Sequence, residues 1–118
     1  MASNKSRGIG RENDVVKLLR KEGWIASRTP ASLGTMDVLA LKHGETPRFI
    51  QVKATQKPFS GFSPFERYDL LADAQKAGAR AELCWWPPYG RPEFIGPEDW
   101  PETIQPKHLD KEFKIGVE

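Results

Sequence analysis

The sequence predicts an α/β fold, a small central mixed β-sheet flanked by helices in the order α-β-β-β-α-β-(β). Three observations lead there. MDVLALK (36–42) and RFIQVKA (48–54) carry apolar residues at both parities, the pattern of central strands covered on both faces. From Ile9 to Lys21 the apolar positions Ile9, Val15, Val16, Leu18 and Leu19 recur at helical spacing. A second helical stretch, PFERYDLLADAQKAGA (64–79), precedes a further apolar strand, RAELCWW (80–86).

Each element has its own signals. Residues 1–8 read as a flexible basic arm ahead of the first helix, and Gly23 suits that helix's stop. WIASRT (24–29) is a short strand, and PASLG (30–34) a loop by its Pro, Ser and Gly content. HGETP joins the strands at 36–42 and 48–54 as a hairpin. After the polar loop TQKPFSGFSP, Ser63 caps the second helix, Pro64 stands near its first position and Gly78 near its end. PPYGRP is a turn, EFI (93–95) a short closing strand, and 97–118 a charged, Pro-containing tail.

A chain of 118 residues is one domain, with enough length to bury a core. Hydrophobic content of 38% and charged content of 29% fit a water-soluble globular protein. No stretch approaches the ~18 apolar residues of a membrane span, and MASNKSRGIGRE lacks the apolar centre of a signal peptide. Cys84 is the lone cysteine, so no internal disulfide is expected, and a reducing, cytoplasmic setting is. Residues 1–28 hold seven basic groups (Lys5, Arg7, Arg11, Lys17, Arg20, Lys21, Arg28) against three acids (Glu12, Asp14, Glu22). That excess suits a polyanion partner, through counterion release, as well as it suits a solvated helix surface.

Four polar residues break the apolar pattern. Glu12 shares a helical stripe with Ile9, Val15, Val16 and Leu19; it is either a core-facing carboxylate that needs a partner or a first-turn acid favoured by the helix dipole. Asp37 opens an apolar strand, where Asp is depleted, as a ligand or as an acceptor for edge amides. Gln51 and Lys53, two residues apart, share one face of RFIQVKA. In an antiparallel hairpin the indices of opposed residues have a constant sum. An even sum near 88 or 90 sets Asp37 opposite or diagonal to Gln51 and Lys53, Cβ atoms about 5 Å apart, with Leu39 and Phe49 beside them. An odd sum separates them. With an even sum, the helix carrying Glu12 is expected to cover that same face.

Such a set suits a hard divalent cation, Mg²⁺ with Mn²⁺ as substitute, because oxygen donors select these ions and Mg²⁺ keeps several waters. Asp37 offers a carboxylate, Gln51 an amide oxygen and Val52 its carbonyl, with Glu12 acting through a water. Lys53 can orient a nucleophilic water and stabilise charge developing on a phosphoryl group. Neither His43 nor His108 has a partner at zinc-ligand spacing.

The run of a helix Glu, D-V-L-A in one strand and x-V-K in the next resembles the PD-(D/E)xK, restriction-endonuclease-like nuclease superfamily. Within it the chain looks most like the archaeal-type Holliday junction resolvases, over roughly residues 7–96. RGIGRENDVVKLLRKEGW resembles their opening helix, SRTPASLGTMDVLALKHG their strand–loop–strand, and FIQVKA their metal-site strand. The resemblance implies a single nuclease domain over 1–118. It implies catalytic roles for Glu12, Asp37, Gln51, Lys53 and Ser32, with Asp37, Gln51, Val52 and Glu12 around the metal. Arg28 and Ser32 match a strand-end Arg and loop Ser at the phosphate, with Arg7, Arg11 and Lys57 as further DNA contacts. It further implies a homodimer that nicks a four-way DNA junction symmetrically. Two positions depart from the pattern: Gln51 stands where the family has an acid, and Asn13 where relatives carry a basic residue. Nucleases for other branched or duplex DNA, and a junction-binding protein without activity, are the rival readings.

Among the aromatics, Trp24, Trp85, Trp86 and Trp100 are expected mainly to pack. Trp85 or Trp86 is expected to face out and, with Leu83 or Phe94, to supply the dimer contact. Cys84 is expected in the core and His43 in a turn. The loop 55–65 is expected beside the site, its Lys57 and aromatics gripping DNA.

Overall fold

The computed structural model describes residues 4–30 and 34–101. Helix α1 (Asn4–Lys21) precedes strands β1 (Ile25–Arg28), β2 (Val38–Leu41) and β3 (Arg48–Ala54). Helix α2 (Pro64–Ala77) follows, then β4 (Arg80–Trp86), β5 (Glu93–Ile95) and a single 3₁₀ turn at Pro97–Asp99. The five strands lie in chain order across one sheet. Only the β3–β4 pair is parallel, so the sheet is mixed as expected. Helix α1 starts at Asn4, ahead of the Ile9 start expected, because the polar residues 4–8 extend the helix without adding to its apolar stripe.

Local chemistry sets the ends of the helices. Arg20 and Lys21 occupy the last turn of α1, where cations complement the helix dipole. Gly23, at φ 95°, then takes the left-handed conformation that ends it. At α2 the Ser63 Oγ accepts the Glu66 N–H at 3.2 Å, Pro64 occupies the first turn, and Gly78 caps the far end at φ 66°.

The two faces of the sheet hold separate apolar clusters. Val15, Val16 and Leu19 of α1 pack on Ala26, Val38, Ala40, Ile50, Val52 and Cys84. Leu70 and Ala74 of α2 pack with Phe62, Ala81, Leu83 and Trp100 on the opposite face, against Leu39, Phe49 and Trp85. The β3–α2–β4 connection joins parallel strands, and the right-handed rule for such crossovers assigns α2 its face. Helix α1 takes the other. This corrects one expectation: the helix carrying Glu12 does not cover the face shared by Gln51 and Lys53, which belongs to α2.

The tryptophans are packed. Trp100 meets Phe62 edge-on at 5.1 Å between ring centroids and donates its Nε1–H to Ile95 O. Trp85 lies with the α2 cluster and donates to Thr55 O at 2.9 Å, while Trp86 lies with the α1 cluster. Adjacent strand residues alternate faces, and here both faces are covered, so neither Trp faces out as expected, and Leu83 is fully buried. Among the described residues, the exposed large apolar ones are Ile25 (75%), Leu41 (42%), Phe65 and Tyr89. Cys84 is buried, and His43 lies exposed in the β2–β3 turn, both as expected.

Candidate functional site

The β2–β3 register decides whether a site exists. Val38 pairs with Ile50, Leu39 with Phe49 and Ala40 with Arg48, a constant sum of 88. The even-sum arrangement is therefore the one adopted. Just before β2 the pairing shifts: the Asp37 N–H bonds Ile50 O, the carbonyl of Val38's own partner, and the Asp37 carboxylate comes to the Val52 N–H and within electrostatic reach of Lys53.

Asp37 lies one residue before β2 and extends the ladder in two ways. Its N–H donates to Ile50 O at 2.8 Å, and its Oδ2 accepts the Val52 N–H at 2.9 Å. The side chain thus replaces a strand carbonyl at the point where β2 has not yet begun. The N–H and C=O of one strand residue point to the same edge, so the Val52 carbonyl also faces the Asp37 side. The flanks of Asp37 are clamped as well. Thr29 N–H donates to Asp37 O at 3.0 Å and Thr29 Oγ1 to Met36 O. From α2, the Asp73 carboxylate accepts both the Thr35 N–H (3.2 Å) and the Thr35 hydroxyl (2.9 Å).

Glu12 reaches this end of the sheet from the α1 side. Its carboxylate, one-fifth exposed, pairs with Arg28 Nε at 3.1 Å. Arg28 pairs with Val38 across β1–β2, so the ion pair sits next to Asp37. From the other face α2 contributes Glu66, whose Oε2 lies 3.1 Å from Lys53 Nζ. Burial pushes the Asp37 carboxyl up from its ordinary 3.8 to about 6. Glu12 and Glu66 add to that rise, while the Val52 N–H and the Lys53 ammonium oppose it.

Beside the site runs a cleft of about 770 Å³. Lys53 to Gln56 line one wall, Gly10, Arg11 and Asp14 of α1 another, and Trp86, Pro87 and Pro88 the end. Arg11 lies over the Trp86 ring at 4.6 Å. Lys53 is common to the acidic site and to the cleft.

Of the residues expected at the site, the structure brings together Glu12, Asp37, Val52, Lys53 and Arg28, holds Gln51 beside Val52 on β3, and sets Arg11 on the adjoining cleft. Lys57 is exposed on the loop after β3; of the aromatics at 55–65, Phe62 is fully buried and Phe59 packs against the α2 cluster, while Phe65, in the first turn of α2, is exposed. Arg7 lies within α1, its side chain outside the described residues, as does all of Ser32. Sequence reasoning missed Glu66 and Asp73. The Ser63-Pro-Phe-Glu66 spacing, that of a capping box, was the available signal for Glu66; Asp73 had none. Among the described residues, no three His, Cys, Asp or Glu side chains gather closely enough to hold a metal ion by themselves.

Residues 3–117 match the family model described as archaeal Holliday junction resolvase (Hjc). The chain belongs to the archaeal Holliday junction resolvase family. It is accordingly a nuclease that hydrolyses phosphodiester bonds in Holliday junctions. Among solved structures, the fold is similar to Hjc of Archaeoglobus fulgidus, a Holliday junction resolvase from an archaeal hyperthermophile. The TM-score is 0.71 at 26% identity, over 85% of this chain and 80% of that one. No curated protein matches. The family implies a divalent metal and branched DNA as partner. Among the described residues, no helix is long and apolar enough to cross a membrane.

Proposed function

We propose that this resolvase, a single nuclease domain, cuts by Mg²⁺-assisted hydrolysis at the Asp37 end of β2–β3, nicking two strands symmetrically as a homodimer. The observation that carries the reading is the half-buried Asp37 carboxylate, which accepts the Val52 N–H at 2.9 Å within electrostatic reach of Glu12, Lys53 and Glu66. The donor set fits a hard cation: one carboxylate, one amide oxygen and the Val52 carbonyl, all oxygens. Asp37 supports the fit, because its ionised form is disfavoured by burial and by two neighbouring carboxylates, a cost that a cation relieves. Asp37, Gln51 and the Val52 carbonyl would hold the ion, with Glu12 through a water. When bound, the ion lowers the pKa of water and neutralises phosphate charge.

The remaining steps belong to the chain. The Lys53 ammonium, facing both the acidic site and the cleft, orients the attacking water and meets the charge that develops on the phosphoryl oxygens. Arg28 holds Glu12 at the site and offers its remaining guanidinium N–H groups to phosphate. Ser32 contacts the phosphate from the preceding loop, and Arg7, Arg11 and Lys57 track the backbone of the arms. Two copies related by a two-fold axis match the symmetry of a four-way junction. The exposed cross-strand pair Ile25–Leu41 offers that dimer an apolar contact. A cytoplasmic enzyme suits a DNA substrate and a lone thiol.

The test incubates the protein with a four-way junction, a fork, linear duplex and single-stranded DNA, in Mg²⁺, Mn²⁺ or chelator, beside Asp37→Asn. Paired symmetric nicks in the junction, abolished by chelator and by the substitution, are expected. Cleavage that persists in Asp37→Asn would sink this site.

A further inference from the structure

Position 51 carries no charge, although it stands two residues before Lys53 on the same face of β3. The lysine does have an acidic partner, and it comes from another element. Glu66 is the third residue of α2, and its backbone N–H donates to Ser63 Oγ at 3.2 Å. In a full capping box, the Glu side chain would turn back to the N–H of the cap residue. Here the carboxylate reaches across the sheet face instead, to Lys53 Nζ at 3.1 Å. Glu66 forgoes a local helix bond for a contact with the site lysine. It also lies close enough to raise the Asp37 carboxyl.

Resting on the metal-assisted reading above, we infer that Glu66 is a positioning residue that holds Lys53 at the site and supplies, from α2, the negative charge that Gln51 does not. The geometry explains how a neutral residue is tolerated at position 51. Gln51 shares with Lys53 the face of β3 that α2 covers, the face from which Glu66 reaches the lysine, so a carboxylate at either position would lie on that side of it. An exposed surface pair contributes little to stability, and the value of Glu66 lies in where it holds the ammonium.

The test is a charge swap. Glu66→Gln, Gln51→Glu and the double variant are compared for Mn²⁺ binding by electron paramagnetic resonance, for junction cleavage, and for junction binding in chelator. Glu66→Gln is expected to weaken Mn²⁺ binding several-fold and to slow cleavage at least roughly tenfold, with junction binding unchanged. Adding Gln51→Glu is expected to recover most of both losses. A Glu66→Gln variant that loses only thermal stability, or a double variant no better than the single, overturns the inference and leaves Glu66 a helix cap. Asp37→Asn separates the two levels: if it binds Mn²⁺ and cleaves like the parent, the metal-assisted reading fails whatever Glu66 does.

Discussion

Replacing Asp37 by Asn should make the metal-free protein more stable while removing its activity. Asn keeps a carbonyl oxygen to accept the Val52 N–H, so the ladder extension survives. What disappears is the cost of holding an ionised carboxylate in a half-buried position beside Glu12 and Glu66. The rise from 3.8 to about 6 corresponds to about 3 kcal/mol at neutral pH, taking about 1.4 kcal/mol for each tenfold change in proton affinity. Solvent reaches part of the side chain, and screening reduces this to about 1–2 kcal/mol. For a domain of this size that is roughly a 4–10 °C rise in Tm. The sign follows from linkage. A carboxyl whose pKa is higher in the folded state contributes stability below its unfolded pKa and loses it as pH rises through the folded value. The advantage of Asn should therefore be full above about pH 6 and vanish between pH 6 and 4. Thermal melts in chelator at pH 7.5 and 4.5 measure it. A Tm at pH 7.5 equal to or below that of the parent, or a gain at pH 4.5 as large as at pH 7.5, would refute the account of a strained carboxylate.

Three further outcomes are expected. Phe62 is fully buried and packs edge-on against Trp100, so Phe62→Ala should cost about 3–5 kcal/mol in urea titrations; a loss under about 1 kcal/mol would mean the α2 cluster does not organise around this ring. Burial pushes the Cys84 thiol up to about 12, with Glu82 adding to the rise, so a thiol reagent at pH 8 should label the native chain roughly a hundredfold more slowly than the unfolded one. Comparable labelling rates would contradict that burial. Arg11→Ala should leave folding intact, weaken junction binding in chelator and lower the salt slope by about 0.9, one phosphate contact; an unchanged slope would remove Arg11 from the DNA surface.

The legible part of the site was the part written within single elements. Parity along RFIQVKA set Gln51 and Lys53 on one side, and the hairpin left an even or an odd register, of which the structure adopts the even one. The packing role of Cys84 and the capping of α2 by Ser63 and Gly78 were equally local. The groupings that needed two distant elements were not legible. The Lys53–Glu66 pair spans an entire loop, and the Asp73–Thr35 clamp joins α2 to the loop before β2. The Arg48–Glu82 pair, at 2.6 Å, joins neighbouring parallel strands whose register depends on the crossover. None of these leaves a periodic trace.

Taken alone, then, the sequence determined the elements, their order and the polar residues misplaced in an apolar strand, because these depend on spacing within a few residues, while the hairpin register was left to the structure. Only the tertiary structure decided which helix lies over which face. The β3–α2–β4 connection put α2, not α1, above Gln51 and Lys53, as the preferred right-handed crossover of parallel strands accounts for. That choice turned Glu12 toward Arg28 at the sheet end and brought Glu66 to the lysine, since a side chain's partner is set by what packs above it and no local pattern records that.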